Sequence, residues 1–257
     1  MAKVVAVANQ KGGVAKTTTV QCLGVALAQQ GKRVLVVDLD PQACLTFSLG
    51  FDPDALESSL HDVLVRRAKV ADVTRPVTAA GGLVLLPATI DLAGAEVHLL
   101  AKTGREHVLA RALEPVLGDY DLVLIDCPPS LGVLTINGLT AADWVLIPLQ
   151  CEALSHRGVG QLLETIDDVR MFANADLGVL GVIATMYDGR TRHSRHVLDE
   201  VGGRYGLALF DPPVPKSVRF AEAPEFGRSI LEHAPDSPGA DAYRALALRL
   251  GDLMVGG

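Results

Sequence analysis

The sequence has no long apolar run and no excess of positive charge, and each absence narrows what the chain can do. No apolar stretch approaches the roughly 20 residues that a membrane helix needs. The opening MAKVVAVA is interrupted by Asn9, Gln10 and Lys11 before it could serve as a secretory signal. These two features predict a cytoplasmic protein. The formal net charge of -7 argues against nucleic-acid binding by the whole surface, but it is compatible with a local basic patch.

Paired cysteines and flexible linkers are also missing. Cys22, Cys44, Cys127 and Cys151 are far apart and form no C-x-x-C pair, which argues against a structural zinc site and a disulfide framework. We therefore expect buried, reduced thiols. No internal repeat, low-complexity segment or linker rich in Pro, Gly or Ser divides the chain. The sequence predicts a single domain over residues 1–257.

Short β-rich apolar runs alternate with helical patterns along most of the chain. Their near-continuous hydrophobicity is typical of strands covered on both faces, so the pattern predicts an α/β fold with a doubly wound, mostly parallel sheet and helices on both faces. The predicted strands are residues 4–8, 34–38, 83–87, 122–126, 144–148 and 179–185, with a shorter candidate at 207–210. The predicted helices are residues 16–30, 154–172 and 241–254. Gly31 is expected to close the first helix.

The loop between the first predicted strand and the first predicted helix reads ANQKGGVAKTTT, residues 8–19. In this loop a strand is followed by a glycine-containing turn and then by the first turn of a helix. This order directs backbone N–H groups and the helix dipole toward one point, which makes an anion site. The loop departs from the usual G-x-x-x-x-G-K-[ST] phosphate-binding pattern, because Gln10 and Ala15 replace its two glycines. It also has an additional lysine, Lys11.

The remaining residues of this loop predict binding of ATP and Mg²⁺. Gly12 and Gly13 supply backbone freedom, and the Lys16 ammonium would reach the β- and γ-phosphates. The Thr17 hydroxyl would be a ligand of Mg²⁺. A glycine-rich turn followed by a surface lysine is the alternative interpretation.

Three aspartates follow predicted strands. YDLVLIDCPPS delivers Asp126 at the end of a buried strand, a Walker B pattern in which one carboxylate enters the Mg²⁺ shell, usually through water. VLVVDLDPQ places Asp38 and Asp40 two residues apart at the end of another strand. From the residues alone, these two acids would either bind Mg²⁺ or start a turn at Pro41.

The motif K-G-G-V-x-K-T-T resembles the deviant Walker A motif of the ParA/MinD family of ATPases, and DCPPS resembles the family's Walker B segment. The resemblance implies an ATP-dependent sandwich homodimer in which Lys11 reaches the phosphates bound by the other subunit. It implies that Asp40 positions and activates the attacking water, with Asp38 in support near the metal. Ala15 is a departure, because most members have glycine there, and its Cβ could crowd the phosphates.

The predicted site residues fall into three groups. The catalytic residues are Lys11, Lys16 and Asp40. The nucleotide-binding residues are Lys11, Gly12, Gly13, Val14, Ala15, Lys16, Thr17 and Thr18. The metal-binding residues are Thr17, Asp40 and Asp126, with the carboxylates acting through water. Hydrolysis is expected to be slow without a partner, because a carboxylate is a poor base for water.

A local basic segment runs from Arg190 to Arg219, with six basic residues against three acids. Such a cluster is a solvated face more often than a DNA site. However, TMYDGRTRHSRHV and VPKSVRFAEAP resemble segments of Soj-like chromosomal ParA proteins, which implies that Arg190 and Arg219 bind double-stranded DNA without sequence preference. Arg192, Arg195 and Lys216 are added from charge alone.

The resemblance implies a cytoplasmic, nucleoid-associated ATPase that partitions chromosomes or plasmids and is stimulated by a ParB-like protein. No membrane partner is expected, because the tail DAYRALALRLGDLMVGG lacks the basic amphipathic pattern of a membrane-binding helix. Three alternatives stay open. One is positioning of another cargo on the nucleoid, and another is an ATP-dependent ligase or synthetase of small carboxylates, of the dethiobiotin or cobyrinate type. The third is a nucleotide-dependent scaffold that does not hydrolyse ATP.

Overall fold

A computed structural model describes residues 1–77, 81–151 and 155–255, without the side chains of residues 155–157, 192, 193, 195 and 255. The strands are β1 (Lys3–Val7), β2 (Val34–Asp38), β3 (Arg75–Pro76), β4 (Leu83–Leu86), β5 (Leu122–Asp126), β6 (Trp144–Gln150) and β7 (Gly178–Thr185). The helices of the first half are α1 (Lys16–Gln29), α2 (Cys44–Ser48), α3 (Leu60–Arg66), α4 (Val70–Val73), α5 (Leu92–Leu100), α6 (Val108–Leu113) and α7 (Val133–Ala141). Those of the second half are α8 (Ser155–Phe172), α9 (Arg192–Tyr205), α10 (Arg219–Glu222), α11 (Ile230–His233) and α12 (Pro238–Val255). Short 3₁₀ turns occur at Pro53–Ala55, Arg105–His107, Glu114–Val116 and Ala223–Phe226.

These strands form one sheet in the order β3-β4-β2-β5-β1-β6-β7. Every pairing is parallel except that of β3 with β4. β5 lies between β1 and β2, so the chain crosses over one strand through α1 before it returns to the sheet. The predicted fold class is confirmed.

Both faces of the sheet are covered, which explains why the strands read as continuous apolar runs. In β1, Val4 and Ala6 pack into one core layer, whereas Val5 and Val7 pack into the other. The first layer is covered by α3 to α9, and the second by α1, α2, α11 and α12. Successive side chains of a strand point to opposite faces, so a strand between two helical layers needs apolar residues at every position.

Two strands differ from the prediction, apart from shifts of one or two residues at strand ends, and of the helices only α1, α8 and α12 were predicted. Leu207–Phe210 is not a strand, and only Leu209 forms an isolated bridge, to Val182. Pro212 and Pro213 follow after Asp211 and have no N–H group to extend a ladder. The short edge strand β3 was not predicted, since two residues carry no periodic signal. The predicted start at Leu154 lies outside the described residues.

Two further expectations concern the cysteines and membrane insertion. Cys22, Cys127 and Cys151 are buried as expected, but Cys44 is exposed at the start of α2. In the part of the chain that the structure describes, no helix combines the length and the apolar character needed to span a bilayer.

Candidate nucleotide site

The glycine-rich loop between β1 and α1 is held by neighbouring strands at the carboxyl edge of the sheet. The Asn9 side-chain amide donates to the Pro148 carbonyl on β6 (2.7 Å), and its oxygen accepts from the Lys11 backbone N–H (3.0 Å). The Thr185 hydroxyl at the end of β7 donates to the Val14 carbonyl (3.0 Å). These buried contacts fix the loop in a crevice outside the strand ends, where ligands of open α/β sheets bind.

The backbone of the loop is left-handed at two positions. Gly13 has φ 73°, and Ala15, just before α1, has φ 67° and ψ 35°. A left-handed backbone suits glycine but costs an alanine roughly 1 kcal/mol. A Cβ at Gly12 or Gly13 would meet no atom within 4 Å, so space is open above both glycines.

Lys16 begins α1 and is nearly buried, with 7% of its surface exposed. Its ammonium donates to the Lys11 carbonyl (3.3 Å). Burial lowers the pKa of Lys16, and the charges of Asp126, Cys127 and Asp40 act in the opposite direction. A cation held in this way has a strong electrostatic preference for an anionic ligand.

Asp38, at the end of β2, is fully buried and fully engaged. One carboxylate oxygen accepts from the Thr46 N–H (2.8 Å) and hydroxyl (2.7 Å), and the other accepts from the Asp40 N–H (3.3 Å). Thr46 Oγ1 in turn accepts from the Ala88 N–H (3.0 Å). Burial raises the pKa of Asp38 to about 6, against the effect of these hydrogen bonds. Asp38 therefore joins α2 and the end of β4 to β2.

Asp126 ends β5 directly opposite Asp38, but its hydrogen bonding is different. The residue is 1% exposed, and neither carboxylate oxygen has a hydrogen-bond partner among the described residues. Burial and then the Asp38 charge raise the pKa of Asp126 well above its ordinary value, while the Thr17 hydroxyl, which is close but does not meet hydrogen-bond geometry, and the Lys16 charge lower it. Buried carboxylates are normally paired, so this one is suited to a ligand that supplies positive charge or hydrogen-bond donors.

A cavity of about 880 Å³ opens beside these residues. Of the predicted site, it is lined by Gly12, Gly13, Ala15, Lys16, Thr17, Thr18 and Asp40. Val14 is instead buried in the loop, Asp126 lies below the surface, and Lys11 is not part of the lining. The predicted phosphate and metal residues are therefore brought to one place, although their individual roles stay predictions.

Sequence reasoning missed the remaining walls of the cavity. Phe47, Ile90, Met186, Tyr243 and residues 214–217 also line it. The last group belongs to VPKSVRFAEAP, which was assigned to DNA binding through its resemblance to Soj-like proteins, with Lys216 added from its charge. Within the described chain, no three His, Cys, Asp or Glu side chains converge to ligate a metal directly.

The two basic segments lie side by side. The Tyr187 N–H donates to the Val214 carbonyl (2.9 Å), which places the chain leading to Arg190 next to the chain leading to Arg219. Arg190 pairs with Asp188 (2.9 Å). Surface ion pairs of this kind are weak and exchange readily for other anions.

The other predicted DNA residues differ in position. Arg219 pairs with Glu222 (3.0 Å). Lys216 is exposed and borders the cavity, and its assignment to DNA stays a prediction. The side chains of Arg192 and Arg195, in the first turn of α9, lie outside the described residues.

Comparisons with known proteins identify relatives over nearly the whole chain. A family model described as an AAA domain matches residues 2–179. The sporulation initiation inhibitor protein Soj of Bacillus subtilis is 47% identical over 96% of this chain and 97% of its own length. The chromosome partitioning protein ParA of Myxococcus xanthus is 42% identical over 96% of this chain and 87% of its own.

A solved structure is also similar. Crystal structures described as cobyrinic acid a,c-diamide synthase from Mycobacterium smegmatis, with ADP and magnesium or with an ATP analogue and magnesium, are 54% identical. They superpose with a TM-score of 0.87 over 97% of this chain and 94% of theirs. The motifs, the fold and these relatives agree, and the chain belongs to the ParA/MinD family of deviant Walker A P-loop ATPases.

Proposed function

We propose that this chain, acting as a single domain over residues 1–257, is a Soj/ParA-like ATPase that partitions chromosomes or plasmids. In this proposal ATP joins two copies into a sandwich dimer, the dimer binds double-stranded DNA without sequence preference, and hydrolysis releases it. The observation that carries the proposal is the buried carboxylate of Asp126 next to Lys16 and Thr17, beside a cavity at the carboxyl edge of the sheet; this carboxylate accepts no hydrogen bond from the described residues.

The residues present fit ATP and Mg²⁺. The open space above Gly12 and Gly13 leaves the loop N–H groups accessible to phosphate oxygens, and Lys16 adds a positive charge. Thr17 would hold Mg²⁺ directly, and Asp40 and Asp126 would hold it through water. Mg²⁺, when bound, neutralises charge that develops on the phosphates. The ADP, ATP-analogue and magnesium complexes of the Mycobacterium smegmatis protein support this assignment.

Three side chains would carry hydrolysis. Lys16 stabilises the β- and γ-phosphates, and Lys11 adds a second positive charge from the other subunit. Asp40 lines the cavity, and one of its oxygens accepts from the Gln42 N–H (2.9 Å), which orients the carboxylate. It would position the attacking water more than deprotonate it, so turnover is slow until a ParB-like partner binds.

DNA would bind to the adjacent basic segments. Arg190 and Arg219 lie on neighbouring stretches of chain, and Arg192 and Arg195 would add charge from α9. Joining two subunits doubles this basic surface, so ATP can switch DNA affinity without a change of fold. The protein would then be cytoplasmic and associated with the nucleoid.

The decisive experiment measures DNA affinity at several salt concentrations with ADP, ATP and a nonhydrolysable analogue. We expect tight binding only with ATP or the analogue. With three contacts per subunit, a dimer meets about six phosphates and the log–log salt slope is roughly -5. The double variant Arg190→Ala, Arg219→Ala should lose most of this affinity but still form the dimer.

Two arginines elsewhere on the surface, which also form exposed ion pairs, provide a matched control. Arg33 pairs with Asp121 and Arg66 pairs with Asp62, both in exposed ion pairs, so Arg33→Ala, Arg66→Ala removes the same charge elsewhere. This control should bind DNA nearly as the wild type does. Equal DNA affinity with ADP and ATP, or a chain that stays monomeric with the analogue, would contradict the proposal.

A second candidate function follows from the Mycobacterium smegmatis structures, which are described as a cobyrinic acid a,c-diamide synthase. Such an enzyme would use ATP to activate a carboxylate, which an amine nitrogen then converts to an amide with release of ADP and phosphate. Incubation with cobyrinic acid, ATP and glutamine or ammonia tests this directly. Formation of the diamide would favour this candidate, whereas Lys11 and the paired arginine segments favour the partitioning ATPase.

A further inference from the structure

The stretch from Pro215 to Pro224 lies between the nucleotide cavity and the outer surface. Its start is fixed by backbone hydrogen bonds, since the Val214 N–H donates to the Ala184 carbonyl (2.7 Å) and the Val214 carbonyl accepts from Tyr187. β7 ends at Thr185, whose hydroxyl holds the phosphate-binding loop through Val14. A continuous set of hydrogen bonds thus connects that loop with the beginning of this stretch.

The side chains of this stretch divide between two faces. The residues that line the cavity are Pro215, Lys216, Ser217, Phe220, Ala221 and Pro224. Val218, Arg219 and Glu222 are not part of the lining, and Val218 is 73% exposed. From Ser217 onward the lining positions recur at intervals of three and four residues, as expected for one face of a helical turn. Arg219 therefore belongs to the outer face, whereas Lys216, which precedes this turn, lines the cavity.

Lys216 and Lys16 are the cationic side chains among the described residues that line the cavity. Lys216 forms no ion pair with a described residue, whereas Arg219 is paired with Glu222. A lysine on the wall of a cavity for an anionic ligand adds attraction for that ligand.

We infer that Lys216 contacts the bound nucleotide, and that the stretch 215–224 presents one face to the nucleotide and the other, with Arg219, to the outside. This inference rests on the proposed function, because it assumes that the cavity holds a nucleotide. It changes the role predicted for Lys216 from the charges of the sequence. The nucleotide contact, which lies before the helical turn, and the DNA contact, on the outer face of that turn, are then only three residues apart in the sequence.

The test measures ADP affinity by calorimetry without DNA, for the wild type and for Lys216→Gln, Lys216→Arg and Arg219→Gln. Lys216→Gln should weaken ADP binding about fivefold, as expected for one partly exposed charged contact worth about 1 kcal/mol. Lys216→Arg keeps the charge and should bind nearly as the wild type does. Arg219→Gln, the matched control from the outer face, should leave ADP affinity unchanged.

DNA affinity at saturating ATP analogue completes the test. Lys216→Gln should then bind DNA like the wild type, and Arg219→Gln should bind it more weakly. Unchanged ADP affinity of Lys216→Gln, together with a DNA defect like that of Arg219→Gln, would overturn the inference and return Lys216 to the DNA surface. A wild-type protein that binds neither ADP nor ATP would overturn the proposed function itself.

Discussion

Asp38 and Asp126 end neighbouring strands and pair in register, yet their surroundings differ. Asp38 accepts three hydrogen bonds, two from Thr46 and one from the Asp40 N–H. Asp126 is equally buried and accepts none from the described residues. The Asp38 carboxylate stabilises the fold through its hydrogen bonds, whereas the Asp126 carboxylate is available to a ligand. Sequence position alone does not separate the two roles, since both are aspartates that follow a buried strand.

The same substitution at both positions should give the largest difference. Asp38→Asn turns one acceptor oxygen into a donor that faces donors of Thr46 or Asp40, so the free energy of unfolding should fall by about 3 kcal/mol. Asp126→Asn removes no hydrogen bond with the described residues, so the nucleotide-free protein should stay within about 1 kcal/mol of the wild type. Chemical denaturation of both variants without nucleotide measures the difference. Equal losses would mean that Asp126 is also a structural residue.

The second expected effect concerns magnesium. If Asp126 holds Mg²⁺ through water, Asp126→Asn should reduce the gain in ATP-analogue affinity that Mg²⁺ provides, by about tenfold for one lost charged contact. Titrations with Mg²⁺ and with EDTA separate this effect from direct nucleotide contacts. In EDTA the variant and the wild type should bind alike. A gain from Mg²⁺ that is as large in the variant as in the wild type would exclude Asp126 from the metal site.

The fold could be predicted because the buried strands consist almost entirely of apolar residues, which is visible in the sequence. Apolar residues at every position of β2 and β5 predict a sheet covered on both faces, and both strands were predicted with their observed bounds. Leu207–Phe210 has a similar composition but forms only one bridge, because the prolines after it prevent a ladder. Local sequence shows that a run is apolar, but not whether a neighbouring strand can pair with it.

The candidate site was predictable where it is local in sequence. The phosphate-binding loop lies within twelve residues, and its glycines and Lys16 carry the signal directly. The hydrogen-bond partner of Asp38 was not predictable, since Thr46 contacts Asp38 only because α2 packs next to the end of β2. The wall formed by residues 214–217 was not predictable either, because it meets the loop through β7. Lys216 was assigned by its charge, and only the fold shows that it borders the cavity.

The smallest expected effect concerns Ala15, which lies at the same edge of the sheet as the two aspartates. The sequence suggested that its Cβ crowds the phosphates, but the structure adds a different cost, a left-handed backbone with φ 67°. Ala15→Gly relieves that strain and adds disorder to the unfolded chain, so the free energy of unfolding should rise by about 0.5 kcal/mol. ATP affinity and turnover should be kept or modestly increased.

Two further alanine variants serve as comparisons for Ala15→Gly. Ala43, before α2, is also left-handed with φ 52°, but its methyl group is buried in the core, so in Ala43→Gly lost packing of about 0.8 kcal/mol should offset the relief of strain. Ala26 lies inside α1, where glycine costs about 1 kcal/mol, so Ala26→Gly should destabilise it. Thermal unfolding of the three variants gives the signs, and calorimetry gives ATP affinity. Loss of nucleotide binding in Ala15→Gly would show that the alanine Cβ supports the bound phosphates instead of straining the loop.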